Sequence, residues 1–512
     1  MFRESFTEQL NLIRFNTKGG DKRMMKKRSA LLLVIVALLG GSLLTLVLMS
    51  SPGLAQTTPG EGLLASVTGS SQQKNDLKKI ETAMDLISSN YYKDVDRTKL
   101  IDGAINGMME SLGDPYSNYM GQETAAQFEE SIEGSFTGIG AEVSSQDGNV
   151  VVVSPIKGSP AEKAGIRAKD MIMSVNGESL QGLELNKAVN KIRGPKGSEA
   201  KVQVKRAGSS ELIEFVIVRD DIDLETVYAH MEDNGVGVIT ITQFSLNTGD
   251  RFKEELAKLE KQNMKGLIID VRNDPGGVLQ VVIDIAEQFV PKGKVIVQVE
   301  DKNGKKEQSK SNGSGKSYPI TVLMNKGSAS ASEILAGALQ QSAGATLVGE
   351  NSFGKGTVQT SYDKQMGDGS LLKITIAKWL TPNGDWIHEK GIKPDIAVNQ
   401  PDYFSVAPIN KEKLPLKYDS NSTDVKSAQT MLRGLDFKPD RVDGYYDQKT
   451  EEAVKAFQKQ KGIQATGQID EKTAESLEAA LIERIANPQY DAQLKRAIEN
   501  VSKDISSAVS KP

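Results

Sequence analysis

Ser328, Ser330 and Ser332 alternate with alanines in residues 325–340, NKGSASASEILAGALQ. The run PITVLM before them has the length and apolarity of a buried strand. After them Ile334, Leu335, Ala338 and Leu339 recur at helical spacing. The chain is therefore expected to leave a strand, turn at Gly327 and enter a helix among small hydroxyl residues. A serine there has unpaired backbone N–H groups beside it and the positive end of the helix dipole, conditions that suit a nucleophile. The same residues suit plain helix capping, and the stretch alone leaves both readings open. Further on, GENSFGKGTVQ sets Lys355 among glycines, with Gln359 four positions later. A lysine flanked by glycines can approach another loop closely. If that approach excludes water, the amine sheds its proton more readily and can serve as a base.

Composition narrows the chemistry. The chain has 512 residues, too many for one compact core, so two to four domains are expected. A net charge of −4 gives no general attraction to nucleic acid. With no cysteine there are no disulfides and no thiolate metal sites. With only two histidines, His230 and His388, a histidine-rich metal site cannot be built, and a non-histidine base is favoured. No metal and no cofactor are expected.

Two motifs invite other readings. Gly349 to Lys355 matches a phosphate-binding loop up to its last position, which must be Ser or Thr and must open a helix. Here Gly356 follows, and Thr357-Val358-Gln359-Thr360 reads as extended. The glycines of Phe136 to Val143 loosely fit a dinucleotide fingerprint, but no strand-then-helix frame surrounds them. Pro275-Gly276-Gly277 after the buried run 266–272 is, by itself, an ordinary turn.

The elements that must position these residues follow in chain order. Residues 1–28 are a charged N-terminus, ending in Lys22, Arg23, Lys26, Lys27 and Arg28. The uncharged run 29–49 is long enough to span a bilayer, and the positive residues before it keep that end cytoplasmic. A cleaved signal segment, cut near Gly53-Leu54-Ala55, is the alternative. Residues 50–73 read as a linker. Helical stripes follow across 74–132, interrupted at Asp114-Pro115-Tyr116. Residues 134–220 read as strands and short helices, with a hairpin signal at Val175-Asn176-Gly177. Residues 223–405 alternate strands and helices, the pattern of an α/β core. A separate module covers 420–483, and 484–512 is a helical, charged tail of unknown role.

Together these motifs resemble, in order and across about residues 75 to 480, the C-terminal processing peptidases, serine proteases with a Ser/Lys pair. The resemblance is closest to the sporulation-associated members of Gram-positive bacteria. It implies a multidomain α/β protein with N-terminal helices, a PDZ domain, a crotonase-like α/β protease core and a small C-terminal helical domain. In the family's SASASE motif the middle serine, Ser330 here, is the nucleophile. The general base then falls on Lys355 and the supporting glutamine on Gln359. The oxyanion donors fall on Gly276 and Gly277 and on Ala331. Gly138, Ile139, Gly140 and Ala141 match the loop with which PDZ domains hold a peptide's free carboxylate, and residues 185–192 the helix beside the peptide groove. Arg193, just past that helix, is expected either to face solvent or to couple the PDZ domain to the protease. The module at 420–483 resembles peptidoglycan-binding domains. The resemblance implies protein substrates with accessible C-termini, a membrane partner through the N-terminal segment, peptidoglycan as a further partner, and a homodimer. The catalytic part would lie outside the cytoplasm on a single-pass anchor, or be secreted if that segment is cleaved. A non-catalytic PDZ and wall-binding scaffold is the alternative. It would be signalled by loss of Ser330, Lys355 or Gln359, and all three are present.

Overall fold

The computed structural model describes residues 71–146, 148–209 and 211–509. The charged N-terminus, the apolar run 29–49, the candidate cleavage site and most of the linker lie outside the described residues. Among the described residues, no helix is long and apolar enough to cross a membrane. The chain divides at Leu100. Before that point the helix Ser71–Asn90 begins within the stretch read as linker and leaves Leu77, Ile80, Leu86 and Ile87 exposed.

The second unit is built around a six-stranded sheet in the order Val227–Met231, Val236–Ile241, Gly266–Asp270, Ile320–Met324, Thr346–Gly349, Ile396–Ala397. The first pair is antiparallel and every later pair is parallel. Strand residues alternate between two apolar faces, so both must be covered. Leu267 and Ile269 point to the helices Thr248–Lys261, Leu279–Ala286 and Ala331–Ala343, whose Phe252, Val282 and Leu335 complete the main core. Ile268, Val238, Leu323 and Val348 point the other way, onto Leu494, Ala497 and Val501 of the helix Ala492–Val509. The tail is thus the second cover of the central sheet. Its start is fixed by half-buried Arg272, which pairs with Asp270 at 2.6 Å and Asp491 at 2.8 Å. Gly266 lacks a side chain because a Cβ there would lie 2.4 Å from Val501.

Other elements frame this sheet. A second sheet joins Asn118–Met120, Leu371–Leu380, Val295–Asp301 and Lys306–Lys310, with Thr357–Tyr362 also paired to Leu371–Leu380. Five strands in the order Ala141–Gln146, Asn149–Pro155, Met171–Val175, Glu199–Lys205, Ile213–Val218 enclose a separate core with the helix Leu185–Ile192. The hairpin at Asn176-Gly177 forms with both residues at positive φ. Three helices, Thr423–Gly434, Gln448–Gln460 and Glu471–Ala486, make a third core. Within it, buried Gln429 and Gln458 repeat one arrangement: each accepts from a glycine N–H (Gly444, Gly467) and donates to a threonine hydroxyl (Thr450, Thr473).

Candidate active site

The three serines have different surroundings. Ser328 is buried, and its hydroxyl donates to the Val271 carbonyl at 2.8 Å while accepting from the Asn325 N–H. Ser332 is fully buried and donates to the Asp274 carbonyl at 2.9 Å. Both hydroxyls stitch the turn to the loop that follows strand Gly266–Asp270. Ser330 is half-buried and lines a cavity of about 800 Å³. Its backbone sits at φ 55° and ψ −110°, outside the usual regions for a residue with a side chain. Such a conformation costs about 1–3 kcal/mol and persists only where the surroundings hold it.

What holds it is Glu333, one turn into the helix and fully buried. Its Oε2 accepts from the N–H of Ser330 at 2.8 Å and from the N–H of Lys355 at 2.9 Å. Its Oε1 accepts from the Ser352 hydroxyl at 2.6 Å and the Gly354 N–H at 2.7 Å. One carboxylate therefore ties the serine turn to the lysine loop, which are far apart in sequence. The reach-back from Glu333 to Ser330 is the glutamate half of a capping box. That S-x-x-E spacing was visible in the sequence, but its link to Lys355 was not.

The lysine loop is held from its other side by the chain's two tryptophans. Trp379 donates to the Lys355 carbonyl at 2.8 Å and Trp386 to the Gly356 carbonyl at 2.9 Å. The Gly356 N–H donates to His388 Nδ1. Gly354 and Gly356 permit this closeness, since a Cβ on either would meet neighbouring atoms at 2.8–2.9 Å. Strand Thr357–Tyr362 follows directly, where a phosphate-binding loop would need a helix. Neither histidine lines the cavity.

Lys355 lines the cavity together with Ser330, Gln359, Gly276, Gly277 and Ala331. Burial lowers its pKa below the ordinary lysine range, and the nearby Lys373 cation lowers it further. Asp114 and Glu333 act in the opposite sense. The Lys355 ammonium lies 5.1 Å from the centre of the Tyr116 ring. Sequence reasoning had Tyr116 only as part of a helix break, and it missed Lys373, which lines the same cavity from the neighbouring strand. Gln359 donates from Nε2 to the hydroxyls of Thr357 at 2.9 Å and Thr375 at 3.0 Å.

Gly276 and Gly277 lie against the serine turn. A Cβ on Gly276 would be 2.9 Å from both Ser330 Cβ and the Ala331 nitrogen. The Gly276 N–H donates to Asp274 Oδ1 at 2.8 Å. No such acceptor within the described residues takes the N–H of Gly277 or Ala331.

A smaller cavity of about 90 Å³ lies between strand Ala141–Gln146 and helix Leu185–Ile192. Phe136, Gly138, Ile139, Gly140 and Ala141 line it with Arg193. Among the described residues, strand Ala141–Gln146 is an edge strand, paired only on one side. The Arg193 guanidinium stacks 5.0 Å above Phe136 and pairs with Glu130 at 2.5 Å. Glu130 belongs to helix Gln122–Glu133, whose Glu129, Ser131, Ile132 and Glu133 line the larger cavity.

This arrangement is that of a serine peptidase with an appended PDZ domain. Comparison with known sequences agrees. The model of Peptidase family S41 matches residues 235–398, the PDZ domain 127–205, the peptidoglycan binding domain 421–477, and the N-terminal domain of the activating protease CtpB 40–124. The chain is 48% identical to the carboxy-terminal processing protease CtpB of Bacillus subtilis over 85% of its own length and 91% of that protein. It is 44% identical to the carboxy-terminal processing protease CtpA of the same organism, over 90% and 98%. A solved structure, the photosystem II D1 C-terminal processing protease, is 28% identical and covers 65% of this chain and 94% of its own, with a TM-score of 0.38. The chain belongs to the carboxy-terminal processing proteases of Peptidase family S41.

Proposed function

We propose that this enzyme cleaves peptide bonds with Ser330 as nucleophile and Lys355 as general base. The observation that carries the reading is the Glu333 carboxylate, which clamps the backbones of both residues at the rim of one cavity. Ser330 Oγ attacks the scissile carbonyl and passes its proton to neutral Lys355 Nζ. Lys355 returns that proton to the leaving amine, and water then releases the acyl group by the same route. Burial favours the neutral amine this requires. Gln359, with Nε2 spent on two threonines, offers its carbonyl oxygen to orient the amine. The oxyanion is held by the Ala331 N–H and by the Gly276-Gly277 loop, where the Gly277 N–H is the donor not spent on Asp274.

Substrates enter by their C-termini. The carboxylate sits at Gly138, Ile139, Gly140 and Ala141, and the extended peptide pairs with the open edge of strand Ala141–Gln146. Arg193 senses that occupancy. Its present partner, Glu130, stands on the helix that walls the larger cavity, so a docked peptide that draws Arg193 away acts on that wall. The run 29–49 anchors the protein with its catalytic part outside the cytoplasm. The N-terminal helices, with their exposed apolar residues, pair two copies. The C-terminal module brings the enzyme to peptidoglycan, and its proteolysis serves sporulation signalling.

Incubating an end-labelled protein substrate with wild type, Ser330→Ala and Lys355→Arg tests the core of this reading by mass spectrometry. Arginine stays protonated at any usable pH, so both variants are expected to leave the substrate intact while melting like wild type. Normal cleavage by Ser330→Ala would remove the proposal. So would inhibition by a chelator that zinc reverses.

A further inference from the structure

Asp274 is the one buried acid in the oxyanion loop. It is fully inaccessible to solvent. Its Oδ1 accepts from the Gly276 N–H at 2.8 Å, and its Oδ2 meets no hydrogen-bond partner among the described residues. Its peptide carbonyl accepts from the Ala329 N–H at 3.0 Å and from the Ser332 hydroxyl at 2.9 Å. Asp274 therefore touches the glycine loop through its side chain and both flanks of Ser330 through its backbone.

Among the described residues, no counter-ion stands against it. On its own loop, Arg272 is committed to the pair with Asp270 and Asp491. On the serine turn, Lys326 is exposed. On the helix Ala331–Ala343, Glu333 is turned to Ser352, Gly354 and Lys355. On the lysine loop, Lys355 lines the cavity, and its proton affinity responds to Lys373, Asp114 and Glu333. A carboxylate this buried and uncompensated is costly to ionise. Burial pushes the Asp274 pKa up to about 7, against the pull of the Gly276 N–H and of the nearby Ser332 hydroxyl.

We propose that Asp274 is a titratable positioning residue for the oxyanion site, with the neutral carboxyl permitting turnover and the carboxylate opposing it. The inference rests on the proposed oxyanion role of the glycine loop and Ala331. Two effects of ionisation act in the same direction. A carboxylate grips the Gly276 N–H more strongly than a neutral acid does, and fixes the loop on itself. It also places a negative charge against Gly276, next to the Gly277 N–H proposed to meet the substrate oxygen as it becomes negative. That repulsion raises the transition state and slows turnover. It acts in the transition state, so kcat falls and KM does not.

Asp274→Asn keeps an acceptor for the Gly276 N–H and cannot ionise. The ratio of variant to wild-type kcat is expected to rise several-fold between pH 5.5 and 8.5, with KM moving alike in both. Thermal melts give a second readout. The folded wild type retains a proton that the unfolded chain releases between the ordinary aspartate range and about 7. Wild-type stability therefore falls as pH rises through that window, and the Asn variant lacks the fall. Asp274→Ser repeats both comparisons if the Asn chain does not fold. Parallel kcat profiles at every pH overturn the inference. Should they coincide with an inactive Ser330→Ala, the nucleophile assignment stands and only the role of Asp274 is lost. An active Ser330→Ala instead removes the reading on which the inference depends.

Discussion

The serine–lysine junction and the PDZ groove are built in opposite ways. At the junction nearly every polar group is already spoken for. Glu333 takes four hydrogen bonds, two tryptophans hold the lysine loop, and the glycines leave no room for a side chain. The groove is a slot of about 90 Å³ beside an unpaired strand edge, and its charged group, Arg193, is held by an ion pair and a ring. Desolvated networks of the first kind hold a geometry before substrate arrives. An open edge and one part-buried ion pair are things a ligand can rearrange. On the proposed reading, chemistry belongs to the rigid region and control to the adaptable one.

The largest effects are therefore expected at the junction. Ser330→Ala should lower kcat by roughly 10⁴-fold or more without loss of stability. Ser332→Ala and Ser328→Ala should do the reverse, each costing about 0.5–1.5 kcal/mol through a lost buried hydrogen bond, because the Asp274 and Val271 carbonyls each keep a backbone donor. Paired melts and peptide hydrolysis separate the two behaviours. A well-folded but inactive Ser332→Ala beside an active Ser330→Ala would dissolve the distinction between them.

Glu333→Gln comes next. The amide puts a nitrogen where one oxygen accepted, so a donor faces either Ser330 and Lys355 or Ser352 and Gly354. A loss of roughly 10²-fold in kcat and about 2 kcal/mol or more in stability is expected. A variant that kept wild-type kcat in stopped assays would mean the clamp is structural decoration rather than what aligns nucleophile and base.

Much of this contrast could be read before the fold was known. The apolar run 319–324, the small serine turn and the helical spacing after it gave the strand, turn and helix as they stand. Gly356 and the extended stretch 357–360 argued against a phosphate loop, and the strand Thr357–Tyr362 is there. Hidden were the contacts that close only in three dimensions. Glu333 shows a local capping pattern, yet its partners Ser352 and Gly354 lie far along the chain. Asp114-Pro115-Tyr116 announces a break in a helix but not that the ring will pack on Lys355. The tail carried its apolar positions at helical spacing in Leu494, Ala497 and Val501, but nothing local says that a sheet face lacks a cover.

On the adaptable side, Arg193→Ala should reduce turnover of a full-length substrate several-fold and leave a peptide too short for the groove unaffected. Glu130→Gln weakens the same contact from the other end and should likewise change turnover of the full-length substrate while leaving the short peptide unaffected. Equal changes on long and short substrates would show that Arg193 acts on stability alone, and melts of the variant would record it.

The smallest effect probes whether the junction is as closed as its hydrogen bonds suggest. Lys373 reaches the cavity from strand Leu371–Leu380, opposite Ser361, with its ammonium 5.1 Å from the centre of the Phe128 ring. Phe128 belongs to the helix Gln122–Glu133, the same helix that holds Arg193 through Glu130. Burial lowers the pKa of Lys373 too, against the pull of Asp114. Its charge works with burial to lower the pKa of Lys355. Removing that charge in Lys373→Met leaves Asp114 and Glu333 attracting the Lys355 proton against burial alone, so the Lys355 pKa rises. The proposed mechanism depends on the neutral amine, so the acid limb of the kcat profile should move to higher pH, and turnover near neutrality should drop a few-fold. Lys373→Arg preserves the charge and should leave the limb where it is. If Met and Arg shift the limb equally, the contribution of Lys373 is packing against Phe128. If only Met shifts it, the proton affinity of the base is set in part by a residue seated on the helix that the PDZ domain grips, and the rigid region is open to the adaptable one through charge.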